Sequence, residues 1–166
     1  MFKLTAALTI VAASLLTISC SDSETQVTAA GPSALLLAPS ASFARAEPST
    51  VTAQLVSGGN CPLIQPLRAR LALTVLADDD VTLFLDEVRM QFVDAGGVAA
   101  PQVTLPAPQL TTQFGTALVQ ARSSLMFPLD LAFGCGTGRT GTIVIVVHGR
   151  DGRGVERSTN VRVAVR

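Results

Sequence analysis

Few side chains in this sequence can do chemistry beyond folding, and their spacing decides what each is worth. His148 is the only histidine. A hydrolytic dyad or triad around it would need a nucleophile and an orienting carboxylate close in space. Asp151 and a serine could serve, as in a small envelope hydrolase, but no G-x-S-x-G elbow occurs. A structural role at the end of a strand is the plainer reading. Asp78, Asp79 and Asp80 gather three carboxylates, and Asp151 is expected at the same end of the domain. These are candidate calcium ligands, as in a calcium-dependent adhesion module, yet a site needs about six or more oxygens in register. A solvated loop accounts for them equally, and no metal site is assigned. Gly136-Thr137-Gly138-Arg139-Thr140-Gly141 matches G-x-G-x-x-G. A dinucleotide fingerprint must be followed by a helix that receives the pyrophosphate. Thr142 to Val147 reads as a strand, so the match is a turn. No nucleotide and no cofactor is implied, and no catalytic residue is assigned.

These residues must be positioned by strands. Thr142 to His148 is an almost unbroken β-branched run, suited to the middle of a sheet. Asp151-Gly152-Arg153-Gly154 can reverse the chain. In the next strand Thr159, Val161, Val163 and Val165 share one face. Upstream, Leu67, Ala69, Leu71, Leu73 and Val75 alternate with polar residues, as do Val88, Met90 and Phe92. Asp86 would interrupt that inner face, so Val81 to Leu85 reads as a separate lead-in or a bulge. Leu125, Phe127, Leu129, Leu131 and Phe133 form another inner face, and Pro128, which cannot donate to a ladder, puts that strand at an edge or leaves that position unpaired. Thr50 to Val56 reads as a first strand and Leu110 to Phe114 as a further one. Gly97 to Pro108 reads as an edge or loop, and no helical stripe of useful length follows Cys20. About seven short antiparallel strands over roughly 115 residues have the size and rhythm of an all-β, immunoglobulin-like two-sheet β-sandwich.

Composition narrows the partners. Formal net charge is +0, and the only lysine is Lys3. Nothing there favours nucleic acid. Trp and Tyr are absent, which weakens readings that need stacking platforms or aromatic cages.

Residues 1–19 form a targeting segment: Lys3 gives a positive start, and Leu4 to Ile18 is apolar but too short and too polar for a membrane span. Leu16-Thr17-Ile18-Ser19-Cys20 resembles the lipobox of bacterial lipoproteins, with Leu16 one residue earlier than the usual leucine. The resemblance implies cleavage before Cys20, lipidation of Cys20 and anchoring in the cell envelope. Ser21 would be compatible with the outer membrane where one exists. The alternative is an ordinary secretory signal with Cys20 an odd thiol. Residues 20–48 read as a flexible tether rich in Ser, Thr, Ala, Gly and Pro, and residues 49–166 as the sandwich. The stretch from Leu67 to Arg166, with FVDAGG and VIVVHGRDGRG…NVRVAV, resembles the immunoglobulin-like modules of secreted bacterial proteins. That likeness implies fold more than function.

With Cys20 set aside, Cys61 and Cys135 remain, and an exported protein most simply pairs them. In the sandwich the bond would bridge the two sheets near one end. The expected function is that of a lipid-anchored, extracytoplasmic binding or structural module with no catalytic activity. Its partners would be the membrane, through lipid on Cys20, and envelope proteins met at strand edges or end loops.

Overall fold

A computed structural model describes residues 42–58, 61, 65–77 and 80–166. Cys20, Asp78 and Asp79 lie outside the described residues, as do the targeting segment and most of the tether. Strands dominate, and they form two sheets. The first contains β1 (Ala44–Glu47), β3 (Gln54–Leu55), β4 (Leu67–Ala77) and β8 (Ser123–Phe133). The second contains β2 (Thr50–Val51), β5 (Leu83–Asp94), β6 (Val103–Pro106), β7 (Leu118–Val119), β9 (Gly141–Asp151) and β10 (Glu156–Val165).

In the first sheet, β4 pairs along its whole length with β8, from Leu67↔Phe133 to Ala77↔Ser123. Its other edge takes β1 and then β3. In the second, β9 is central, flanked by β10 and β5, while β5 takes β6 and β7 on its far side. Alternation sends one face of each long strand inward. Leu73, Val75, Phe127 and Phe133 from the first sheet meet Val88, Phe92, Ile143 and Ile145 from the second in one buried cluster. The rings of Phe92 and Phe133 stack between the sheets at a centroid distance of 4.1 Å. Each such side chain, fully buried, contributes about 1.5–3 kcal/mol. The all-β, two-sheet reading therefore holds, and Pro128 lies on a strand that pairs, among the described residues, with β4 alone.

Several details differ from expectation. The described residues form ten strands, not about seven, and one pair is parallel: β2 beside β10. A strand precedes residue 49, because β1 lies within the stretch assigned to the tether, and the expected first strand, Thr50 to Val56, is instead two short ones, β2 and β3, in different sheets. Pro48 has no N–H for a ladder. The chain leaves the first sheet there and joins the second as β2. Leu110 to Phe114 belongs to a helix, α1 (Ala107–Phe114), rather than a strand. Pro108 sits in its first turn, where a proline costs no intrahelical hydrogen bond. Leu110 is fully buried beneath it, and Phe114 packs edge-on against Phe127 at 5.3 Å. Asp86 is the extra residue of a bulge, since Leu85 pairs with Gly149 and Glu87 with His148.

Cys61 and Cys135 are bonded, with Cα atoms 5.5 Å apart. The bond does not bridge the sheets as expected. Cys61 precedes β4 and Cys135 follows β8, at the end where Leu67 and Phe133 pair within one sheet. It joins two loops, and the Cys135 N–H also donates to Gln65 Oε1 at 2.8 Å.

Candidate functional site

The ends of the second sheet are shaped by two turns of the same construction. Asp94-Ala95-Gly96-Gly97-Val98 follows β5, and Asp151-Gly152-Arg153-Gly154-Val155 joins β9 to β10. Asp94 N–H donates to Val98 O at 2.9 Å, and Asp151 N–H to Val155 O at 2.9 Å. Each fourth residue, Gly97 or Gly154, returns its N–H to the aspartate carbonyl with φ of 84° or 81°. Glycine adopts that conformation without a steric cost. Each Oδ1 accepts two further backbone N–H groups: those of Gly96 and Val98 on Asp94, and those of Arg153 and Val155 on Asp151. The second oxygen reaches outside the turn. Asp94 Oδ2 accepts the N–H of Gly138 at 2.8 Å, and Asp151 Oδ2 accepts Arg157 Nη2 at 3.1 Å.

Hydrogen bonds to the charged form favour ionisation. Accordingly both carboxyls are held below their ordinary value, Asp94 chiefly by the Gly138 N–H and Asp151 chiefly by the Val155 N–H.

The turn after β9 walls a groove of about 650 Å³ that lies between it, β5 and the segment running from α1 into β7. Phe84 lies in the groove and is 49% exposed, next to Ala117 and Leu118. The bulge turns Asp86 toward Arg150, which grips it with both arms: Nη2 to Oδ1 at 2.7 Å and Nε to Oδ2 at 3.1 Å. Asp86 raises the already high pKa of Arg150, first through that hydrogen bond and then through charge. Such a fork fixes both groups better than a single contact would. Asp86 also lines an adjoining polar depression of about 510 Å³, with Glu87, Arg89, His148, Glu156 and Ser158 on its walls.

His148 sits in a row with Glu87 on β5 and Ser158 on β10. Directly opposed residues of neighbouring strands have Cα atoms about 4.5–5.5 Å apart. The order is that of a serine, a histidine and a carboxylate. The three are not bonded to one another among the described residues, and Glu87 is paired instead with Arg89. Asp151, the expected carboxylate partner, is turned into its own loop and is only 7% exposed.

Of the calcium candidates, Asp80 and Asp151 lie among the described residues, and these two are not brought together as ligands. The segment that follows Asp80 does meet the Asp151 turn, for Gly152 N–H donates to Thr82 O at 2.8 Å. However, Asp80 pairs with Arg122, and Asp151 has its oxygens filled by backbone N–H groups and Arg157. The described residues contain no group of three or more potential metal ligands. The segment from Gly136 to Gly141 is a loop running into β9, with no helix after it.

Phe84, Arg150 and the α1 side of the groove were not singled out from the sequence. The one available signal was Asp86, which breaks the alternation of β5.

No protein-family profile matches the sequence, and no curated protein does. Solved structures do resemble it. One is the X-ray structure of a Northeast Structural Genomics Consortium target. It has a TM-score of 0.51 and 13% sequence identity, covering 74% of this chain and 86% of that one. Another is a crystal structure of a Bordetella pertussis protein named ApaA, with a TM-score of 0.47 and 11% identity, over 74% of this chain and 93% of that one. The first likeness supports the two-sheet β fold and carries nothing about activity.

Proposed function

We propose that this chain is a lipid-anchored extracytoplasmic protein whose immunoglobulin-like sandwich is a non-catalytic binding module. The groove carries the reading. It presents an exposed aromatic ring, Phe84, beside a fixed ion pair, Asp86–Arg150, at a loop-rich end of the sheet. A rigid apolar anchor flanked by oriented polar groups is the usual make-up of a recognition site. The immunoglobulin-like assignment is supported by the strand order. One sheet runs from β1 through β4 to β8, and the other from β2 through β10 and β9 to β5. The first strand region divides between the two sheets. The anchor rests on the lipobox-like residues ending at Cys20, and placement in the outer membrane on Ser21.

Two measurements test the proposal. Cells expressing the full chain should incorporate labelled palmitate, and Cys20→Ala should abolish the label; unlabelled native protein would refute the anchor. Cross-linking in intact envelopes should capture a partner with the native chain and lose it with Phe84→Ala, at an unchanged melting midpoint. Equal capture by both proteins would remove the groove from the binding role.

A further inference from the structure

The outer edge of β10 is open in a way that specifies its own complement. On one side β10 pairs with β9 along its length, while on the other, among the described residues, β2 covers only Ala164 and Val165. Within an antiparallel strand, both backbone groups of a residue point to the same side, and the side alternates along the chain. Ala164 N–H donates to Ser49 O at 2.9 Å, and Arg166 N–H to Val51 O at 3.0 Å. The even-numbered residues therefore face away from β9. Glu156, Ser158, Asn160 and Arg162 turn their N–H and C=O groups outward, and none of these has a backbone partner on that side among the described residues. All four residues are exposed. Thr159, between them, is buried and meets Ser42 Oγ at 3.2 Å on the inner side, away from the open backbone.

We infer that this edge is the interface for a second copy of the same chain, the two β10 strands pairing antiparallel about a two-fold axis at Thr159. In that register Glu156 stands opposite Arg162 of the second copy, and Ser158 opposite Asn160. The axis repeats both pairs. All four open residues are used. A shift of two residues one way would require the N–H of Ala164, which Ser49 already holds. The same shift the other way would require the N–H of Gly154, which Asp151 O holds at 2.8 Å within the turn. Charge selects the same register. Neither Glu156 nor Arg162 forms a salt bridge among the described residues; Glu156 stands opposite Arg150 on β9 and acts on it through charge, while Arg150 is gripped by Asp86. Charges on an edge strand commonly repel foreign strands. Here they are opposite in sign and symmetrically spaced, so the edge admits its own copy and penalises a strand without that pattern. The second sheets of the two copies would then form one continuous sheet across the axis.

Sedimentation of the full chain in detergent, across a range of concentrations, tests this. The native chain should be dimeric. Arg162→Glu should weaken the dimer by about tenfold or more, since two attractive cross-strand pairs become repulsive. The double variant Glu156→Arg with Arg162→Glu should regain most of the lost affinity, a rescue that a merely destabilised fold would not give. A native chain that stays monomeric at its highest soluble concentration overturns the inference. So does a dimer indifferent to Arg162→Glu, which would place the contact elsewhere. Failure of the double variant to recover would refute the register.

Discussion

Asp94 and Asp151 do the same work at opposite ends of the second sheet, each gathering backbone N–H groups that would otherwise lack partners at a strand end. The consequence is a pH dependence with a definite sign. Both groups titrate below their ordinary value of 3.8 in the folded chain. Their contribution to stability is therefore complete above that value and is lost as the pH falls through the depressed folded values. Thermal melts between about pH 7 and about pH 2 should show the midpoint falling chiefly below the ordinary carboxylate range. Asp94→Asn keeps one acceptor oxygen but sets an amide NH₂ against the N–H of Gly138. It should lower the midpoint at neutral pH and flatten the acid limb. An acid limb unchanged in Asp94→Asn and in Asp151→Asn would show that other groups govern acid unfolding.

Elements were legible from sequence in proportion to their length. The inner faces of β4, β8 and β10 could be read because sustained alternation of apolar and polar residues marks a half-buried strand, and β9 could be read from its β-branched run, as a strand in the middle of a sheet. Asp86 announced its bulge by breaking that rhythm. β1, β2, β6 and β7 have two to four residues each, too few to display a period, and they are held by neighbours distant in sequence. The helix α1 was missed for a related reason. Its periodic signal is one pair, Leu110 and Phe114, lying between Pro106 and Pro108 on one side and Gly115 on the other. Without a side-chain cap, α1 depends on packing rather than propensity. Leu110 is its only buried residue. Leu110→Ala should therefore cost about 2–5 kcal/mol, measured by urea unfolding. Hydrogen exchange should rise first in α1 and along the neighbouring wall of the groove. A cost well under that range would mean that Phe114 alone seats the helix. The groove itself was illegible because Phe84, Arg150 and α1 come from three separate stretches, and only the pairing of β5 with β9 unites them.

At the scale of the whole molecule, the second sheet joins strands that lie far apart in sequence. β2 stands near the start of the described chain and β10 at its end, yet they are neighbours in one sheet. Most of the contacts between are also long-range, a topology associated with slow folding. During synthesis this imposes an order of events. The pairing of β4 with β8 can form once Phe133 has appeared, whereas the second sheet waits for the last strand to be made. Until Val165 arrives, β9 has an exposed flank and β2 has nothing to join. A chain stalled or clipped within β10 would thus present an unfinished sheet, with the flank of β9 open to proteases that recognise unpaired strands.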